Sequence, residues 1–218
     1  MSSLQPVRAE SLSAQVAESI RGAIFSGELK PGQVLRELGL AKNMNVSQAT
    51  VREALSQLEH YGLVVRTPNR STSVTSLSAD ELRNRASVWL TLESKVLERA
   101  IPNASALIPE LSASLPENSS EDAVSATRHF HSRLWEATGN PILIRILDQL
   151  TTPLFAFCRM DADATREMTG RCSKILEGIR TGDLHSAQKA LEDQVDSIQR
   201  ANIQEVSEPE LREVGAAV

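Results

Sequence analysis

The order of four local patterns within the first 75 residues leaves few folds open to this chain. Leu12, Val16, Ile20 and Ile24 recur at helical spacing, and Gly27 ends the run. Pro31-Gly32 marks a turn, and a short helix is expected around residues 36–43, with Leu35, Leu38, Leu40 and Ala41 apolar. Residues 45–55 then read N-V-S-Q-A-T-V-R-E-A-L and open a third helix over about 47–60. Ser47 suits its N-cap, while Val51, Ala54, Leu55 and Leu58 form its buried stripe. Gly62 stops that helix. Leu63–Arg66 and Thr72–Thr75 read as strands around a turn at Thr67–Ser71. Three helices followed by a hairpin is the order of a winged helix-turn-helix.

The third helix has the chemistry of a DNA reader. Gln48, Ala49 and Arg52 share the stripe opposite the buried one, with Thr50 beside them. Arg pairs bidentately with guanine and Gln with adenine, while Ser and Thr serve phosphates or bases. No acid stands at helical spacing from Arg52. Arg36, ahead of the second helix, and Arg66, Asn69 and Arg70 on the hairpin are expected to flank the duplex. Charge agrees with this placement. The 218-residue chain carries −5 overall, but residues 1–76 hold eight Lys/Arg against six Glu, a net +2.

Beyond Ser78 the pattern is helical almost throughout, and an aromatic content of only 3% favours helices over a β-sandwich. Ser78-Ala79-Asp80-Glu81 has the form of a capping box, followed by a helix to about residue 101. Residues 102–121, rich in Pro and Ser, read as short helix plus loop. Further helices are expected at about 121–138, from Asn140-Pro141 onward, at 164–181 and at 183–205, with a frayed tail containing Pro209 and Gly215. The expected organisation is a DNA-binding domain over 1–76, a linker at 77–79 and an all-helical domain over 80–218; the fold class is mainly α. Polar residues interrupt the apolar stripes of the second domain: Glu93 near Trp89, then Thr127, His131, Cys172 and Gln194. Polar groups on buried stripes need partners or a ligand, so these six residues are the candidate effector pocket. His129 should face elsewhere, at the surface.

Several classes are disfavoured. There is no 18-residue apolar run, and the N-terminus lacks the apolar core of a signal peptide. Cys158 and Cys172 make no disulfide framework. A cytoplasmic protein with no membrane partner is expected. The sequence carries no Gly-rich phosphate loop, G-x-S-x-G or H-E-x-x-H, so no catalytic residues are assigned and an enzyme is not expected.

The stretch from Leu12 to Val74 resembles the GntR family of bacterial winged-helix transcription regulators. The resemblance rests on I-R-G-A-I-F-S-G-E-L-K-P-G-Q-V-L-R-E (20–37), L-A (40–41), V-S-Q-A-T-V-R-E-A-L (46–55) and L-E-H-Y-G-L-V (58–64). The helical remainder resembles the FadR-like (FCD) effector domain. The resemblance implies a homodimer that binds a palindromic double-stranded operator, usually as a repressor, and releases it when a small-molecule effector fills the helical domain. It assigns DNA contacts to Arg36, Thr50, Arg52 and the hairpin tip around Arg70. Gln48 stands where the family usually has Arg, and Ser71 where it usually has Gly.

Many FCD relatives use an Asp and three His to bind a divalent metal that helps hold a carboxylate effector. Here Phe130-His131 and Thr138-Gly139-Asn140 match the first motif, and K-I-L-E-G-I-R-T-G-D (174–183) aligns the next helix. His131 is retained, but Thr127 stands at the Asp position and Cys172 and Gln194 at the other two His positions; Trp89 replaces a family Arg. Thr and Gln are weak ligands, which leaves His131 and Cys172 as the only metal candidates. A metal-free, cofactor-free and more apolar pocket is expected. The alternative is a constitutive DNA-binding dimer whose helical domain has lost both metal and effector.

Overall fold

The computed structural model describes residues 11–67, 71–115 and 123–215, with side chains to residue 203. It contains two compact units, Met1–Ser76 and Leu77–Val218. In the first unit α1 (Leu12–Phe25) begins at Ser11, whose side chain accepts from the Ala14 amide at 3.1 Å. A two-residue strand β1 (Val34–Leu35) leads into α2 (Glu37–Met44), which ends at Asn45 in the left-handed conformation, φ 53°. Asn tolerates that region better than most residues. Next come α3 (Gln48–His60), β2 (Val64–Arg66) and β3 (Thr72–Val74). The sheet is antiparallel in the order β1-β3-β2, with Val64 opposite Val74 and Leu35 opposite Thr72. The Thr67 amide closes the hairpin on the Ser71 carbonyl at 3.1 Å.

The core of this unit follows the apolar spacing. Val16, Ile20 and Ile24 of α1, Val51, Leu55 and Leu58 of α3, and Leu35, Val64 and Val74 of the sheet are all buried. Strand β1 was not expected from the sequence, because two residues show no period; Leu35 faces in and Val34 out.

The second unit is all helix among the described residues. Leu77 is buried, and Ser78 forms the expected capping box with Glu81 ahead of α4 (Ala79–Ala100). The expected 77–79 linker is therefore part of the helix entry. A 3-10 turn at Ile101–Asn103 is followed by α5 (Ala104–Ala113), α6 (Ala123–Glu136) and α7 (Pro141–Ala156). Asn140 caps α7 by accepting from the Ile142 and Leu143 amides at 3.1 and 3.2 Å, and Pro141 takes the first helical position. Finally come α8 (Ala162–Thr181) and α9 (Leu184–Gly215). The tail departs from expectation, since α9 continues through Pro209 rather than fraying near residue 205. Asn202 anchors α9 by donating to the Leu154 carbonyl of α7 at 3.0 Å, and propagating an anchored helix is easier than starting one.

α8 folds back onto α9 across Gly182 (φ 74°) and Asp183, whose amide donates to the Gly178 carbonyl at 2.9 Å. The two helices meet at Gly178, where a Cβ would lie 2.7 Å from the Ala187 Cβ and 2.8 Å from its backbone nitrogen. Gly178→Ala is expected to force this contact apart and destabilise the protein by about 1–3 kcal/mol, read as a lower urea midpoint. Gly170→Ala on the same helix, where a Cβ would meet nothing within 4 Å, is expected to leave the midpoint unchanged or raise it.

Candidate functional site

α3 is built to present its N-terminal turns. Ser47 adopts extended backbone (φ −72°, ψ 152°) and its hydroxyl accepts from the Thr50 amide at 3.1 Å. Its oxygen also lies 2.8 Å from the Thr50 hydroxyl, so both side chains are tied to the helix start. Gln48, Ala49 and Arg52 are exposed on one face and Thr50 is half-buried. Arg36, the residue at the N-cap of α2, is also exposed. Asn69 and Arg70, expected at the hairpin tip, lie outside the described residues.

Arg52 has a partner that helical spacing could not reveal. Glu37, at the start of α2, accepts from Arg52 Nη2 at 2.9 Å and Nε at 3.2 Å, which lifts the guanidinium further above its ordinary pKa. The pair crosses from helix to helix while Arg52 stays 60% exposed. An exposed pair of this kind contributes little stability, but it restricts where the guanidinium points. Arg66 turns back onto α3: its Nη2 donates to the Arg52 carbonyl at 2.7 Å and its Nε lies 3.4 Å from Glu59. Its observed contacts hold the hairpin to the reading helix.

In the helical unit the six residues singled out from sequence converge. Trp89 and Glu93 come from α4, Thr127 and His131 from α6, Cys172 from α8 and Gln194 from α9, and each is 0% exposed. Both nitrogens of His131 face acceptors: Nδ1 meets the Glu93 carboxylate, and Nε2 lies 2.9 Å from the Gln194 amide oxygen. The amide orientation follows from its other end, where Nε2 donates to the Met168 carbonyl at 2.9 Å and to Cys172 Sγ at 3.3 Å. The Nε2–H thus donates to Gln194, and a proton is shared between Nδ1 and the Glu93 carboxyl. Glu93 completes the arrangement: one oxygen accepts from the Trp89 indole and from the Trp135 indole at 2.9 Å, and the other meets His131 Nδ1. Trp89 also stands edge-on to His131 and Phe155, with ring centroids 5.4 Å away in each case. Thr127 lies beside the Cys172 thiol, its hydroxyl short of a well-formed hydrogen bond. His129 is exposed.

Trp135 was missed in the sequence because, four residues after His131, it reads as one more apolar member of the α6 stripe. Glu37 was missed because it lies 15 residues from Arg52 and only tertiary packing joins them.

The donor set does not suit a divalent metal. Both His131 nitrogens are engaged, Thr127 and Gln194 are neutral oxygens or amides, and burial pushes the Cys172 thiol up to about 12, against the opposing hydrogen bond from Gln194. Thiolate is the ligating form, and this thiol is held protonated. No group of three His, Cys, Asp or Glu side chains placed to hold a metal occurs among the described residues.

Comparison with known proteins fits both halves of this geometry. Residues 12–74 match the family described as bacterial regulatory proteins, gntR family, and residues 86–197 match the FCD domain. The chain belongs to the GntR family, with an FCD domain. It is 30% identical over 155 residues to the uncharacterized HTH-type transcriptional regulator YdhC of Bacillus subtilis, covering 67% of this chain and 69% of that one. It is 27% identical over 158 residues to the HTH-type transcriptional repressor RspR of Escherichia coli, covering 71% and 68%. The solved structure of E. coli McbR/YncC superposes with a TM-score of 0.65 at 21% identity, covering 91% of this chain and all of that one, and supports the fold. The protein is a DNA-binding transcription regulator and not an enzyme. No helix among the described residues is long and apolar enough to cross a membrane.

Removing one partner of the buried pair should be far worse than removing both. His131→Ala leaves the buried Glu93 carboxyl without its His131 partner and is expected to cost about 3–5 kcal/mol in urea unfolding. The double variant Glu93→Leu/His131→Leu is expected to recover a large part of that loss, since an apolar pair needs no compensation. Equal losses in the two proteins would contradict the assignment of a mutually dependent buried pair.

Proposed function

We propose that this regulator is a homodimeric, metabolite-responsive repressor that acts in the cytoplasm. α3 enters the major groove of a double-stranded operator, with Gln48, Thr50 and Arg52 toward base edges or phosphates and Arg36, Arg66, Asn69 and Arg70 along the flanks. Ser47 serves by fixing the N-terminal turn. The helical domain, assigned to residues 80–218, dimerises and takes a small effector. Effector binding shifts the population between arrangements that match and mismatch the half-site spacing.

The observation that carries the effector reading is the buried cluster itself. Four helices contribute polar groups to one point without access to water, an arrangement an apolar core would equal or exceed in stability. An effector entering there has to replace hydrogen bonds already made, so it must offer an acceptor to His131 or a donor to Glu93. No metal takes part, and the pocket residues are Trp89, Glu93, Thr127, His131, Cys172 and Gln194. The dimer is supported by Ile142 (60% exposed) and Ile146 (43%), one turn apart on α7, an apolar surface that a partner copy would cover. Repression is supported by the similarity to RspR, a named repressor.

A second reading is favoured by the completeness of the same hydrogen bonding. With Glu93, His131 and Gln194 satisfying one another, the helical domain would serve as a fixed dimeriser and DNA binding would be constitutive. A gel-shift titration on a duplex selected from random sequence, repeated across a panel of small carboxylates, amines and sugars, separates the two. At least one compound should release the wild-type protein and fail to release Glu93→Gln; no release across the panel favours the constitutive reading. In the same assay Arg52→Ala is expected to abolish specific binding while gel filtration still shows a dimer.

A further inference from the structure

Among the described residues, Leu38 is the most exposed large apolar side chain, at 69%. It sits on α2, a helix of eight residues whose only fully buried side chain is Ala41, so the core does not explain it. Its surroundings point to a role. Leu38 and Lys42, one turn apart on α2, line a groove whose opposite wall is the start of α3, with Ser47, Gln48 and Thr50, and Leu12 also borders it. Gln48 and Thr50 are the residues that α3 presents beside Arg52, so the groove is continuous with the DNA-reading surface. Its charge suits a duplex: Lys42 and Arg36 are exposed cations, and the neighbouring Glu37 is neutralised by Arg52.

An apolar side chain on a base-reading surface has one distinctive target. Thymine alone offers a methyl group in the major groove, and adenine offers the acceptor and donor that a Gln amide matches. We infer that Leu38 and Gln48 act as a composite reader of A·T content in the operator, with Gln48 on an adenine and Leu38 against the methyl of a thymine in the same or the adjoining pair. This assignment rests on the DNA-binding reading and adds a specificity determinant on α2, outside the recognition helix. It also accounts for a leucine at a position bathed in water: the duplex buries it.

Deoxyuridine differs from thymidine only by that methyl, which makes a direct test available. The full-length protein selects a duplex from a random pool, and each thymine of the enriched site is replaced singly by deoxyuridine. Fluorescence anisotropy is then measured with wild type, Leu38→Ala and Gln48→Ala. One thymine per half-site is expected to show a loss of about fourfold on demethylation with wild type, the size of one buried methyl group. Leu38→Ala should bind the unmodified duplex about as weakly and no longer distinguish thymine from uracil there, with an unchanged melting temperature because the side chain is exposed. Gln48→Ala should relax the preference for adenine at the same or the neighbouring pair. If wild type senses no methyl, or if Leu38→Ala keeps the full thymine preference, the reader is refuted and Leu38 serves another surface. Failure to enrich any duplex would instead remove the DNA-binding reading beneath it.

Discussion

The helical domain is organised around a carboxylate that has no route to water. Glu93 must be answered by donors, and the chain supplies them from two helices: its own α4 neighbour Trp89, and His131 and Trp135 from α6. The demand then propagates outward. His131 needs a second acceptor, Gln194 of α9 provides it, and the Gln194 nitrogen is settled by the Met168 carbonyl on α8. One buried carboxyl thus fixes the relative register of four helices through directional bonds, where apolar packing alone would tolerate sliding.

The elements with local signatures were legible in the sequence. The Ser47 cap, the Ser78–Glu81 capping box, the Asn140-Pro141 start and the Gly182 stop depend on residues within one turn of each other, and all sit where the spacing put them. The three-helix-plus-hairpin order was readable for the same reason. Features made by tertiary contact were not. β1 is two residues long, Glu37 reaches Arg52 across a helix crossing, and Trp135 hides within an apolar stripe. In the helical unit the stripe pattern identified which polar residues point inward, including Glu93 and Gln194, but not that they satisfy one another.

The departures from the FCD metal pattern form a consistent set. His131 stands at a ligand position, yet its neighbours are a neutral amide, a protonated thiol and a hydroxyl, with Glu93 and the two indoles on the far side. Here hydrogen bonding occupies both ring nitrogens, one by the Glu93 carboxyl and the other by the Gln194 amide. The winged-helix unit shows a smaller version of the economy, in which Glu37 orients Arg52 without burying it.

Arg66 gives the hairpin a mechanical connection to α3. Its guanidinium donates to the Arg52 carbonyl at 2.7 Å, on the same residue whose side chain is exposed and paired with Glu37. The wing is therefore geared to the middle of the reading helix. Any displacement of β2 is therefore carried through this bond to the backbone at Arg52, within α3.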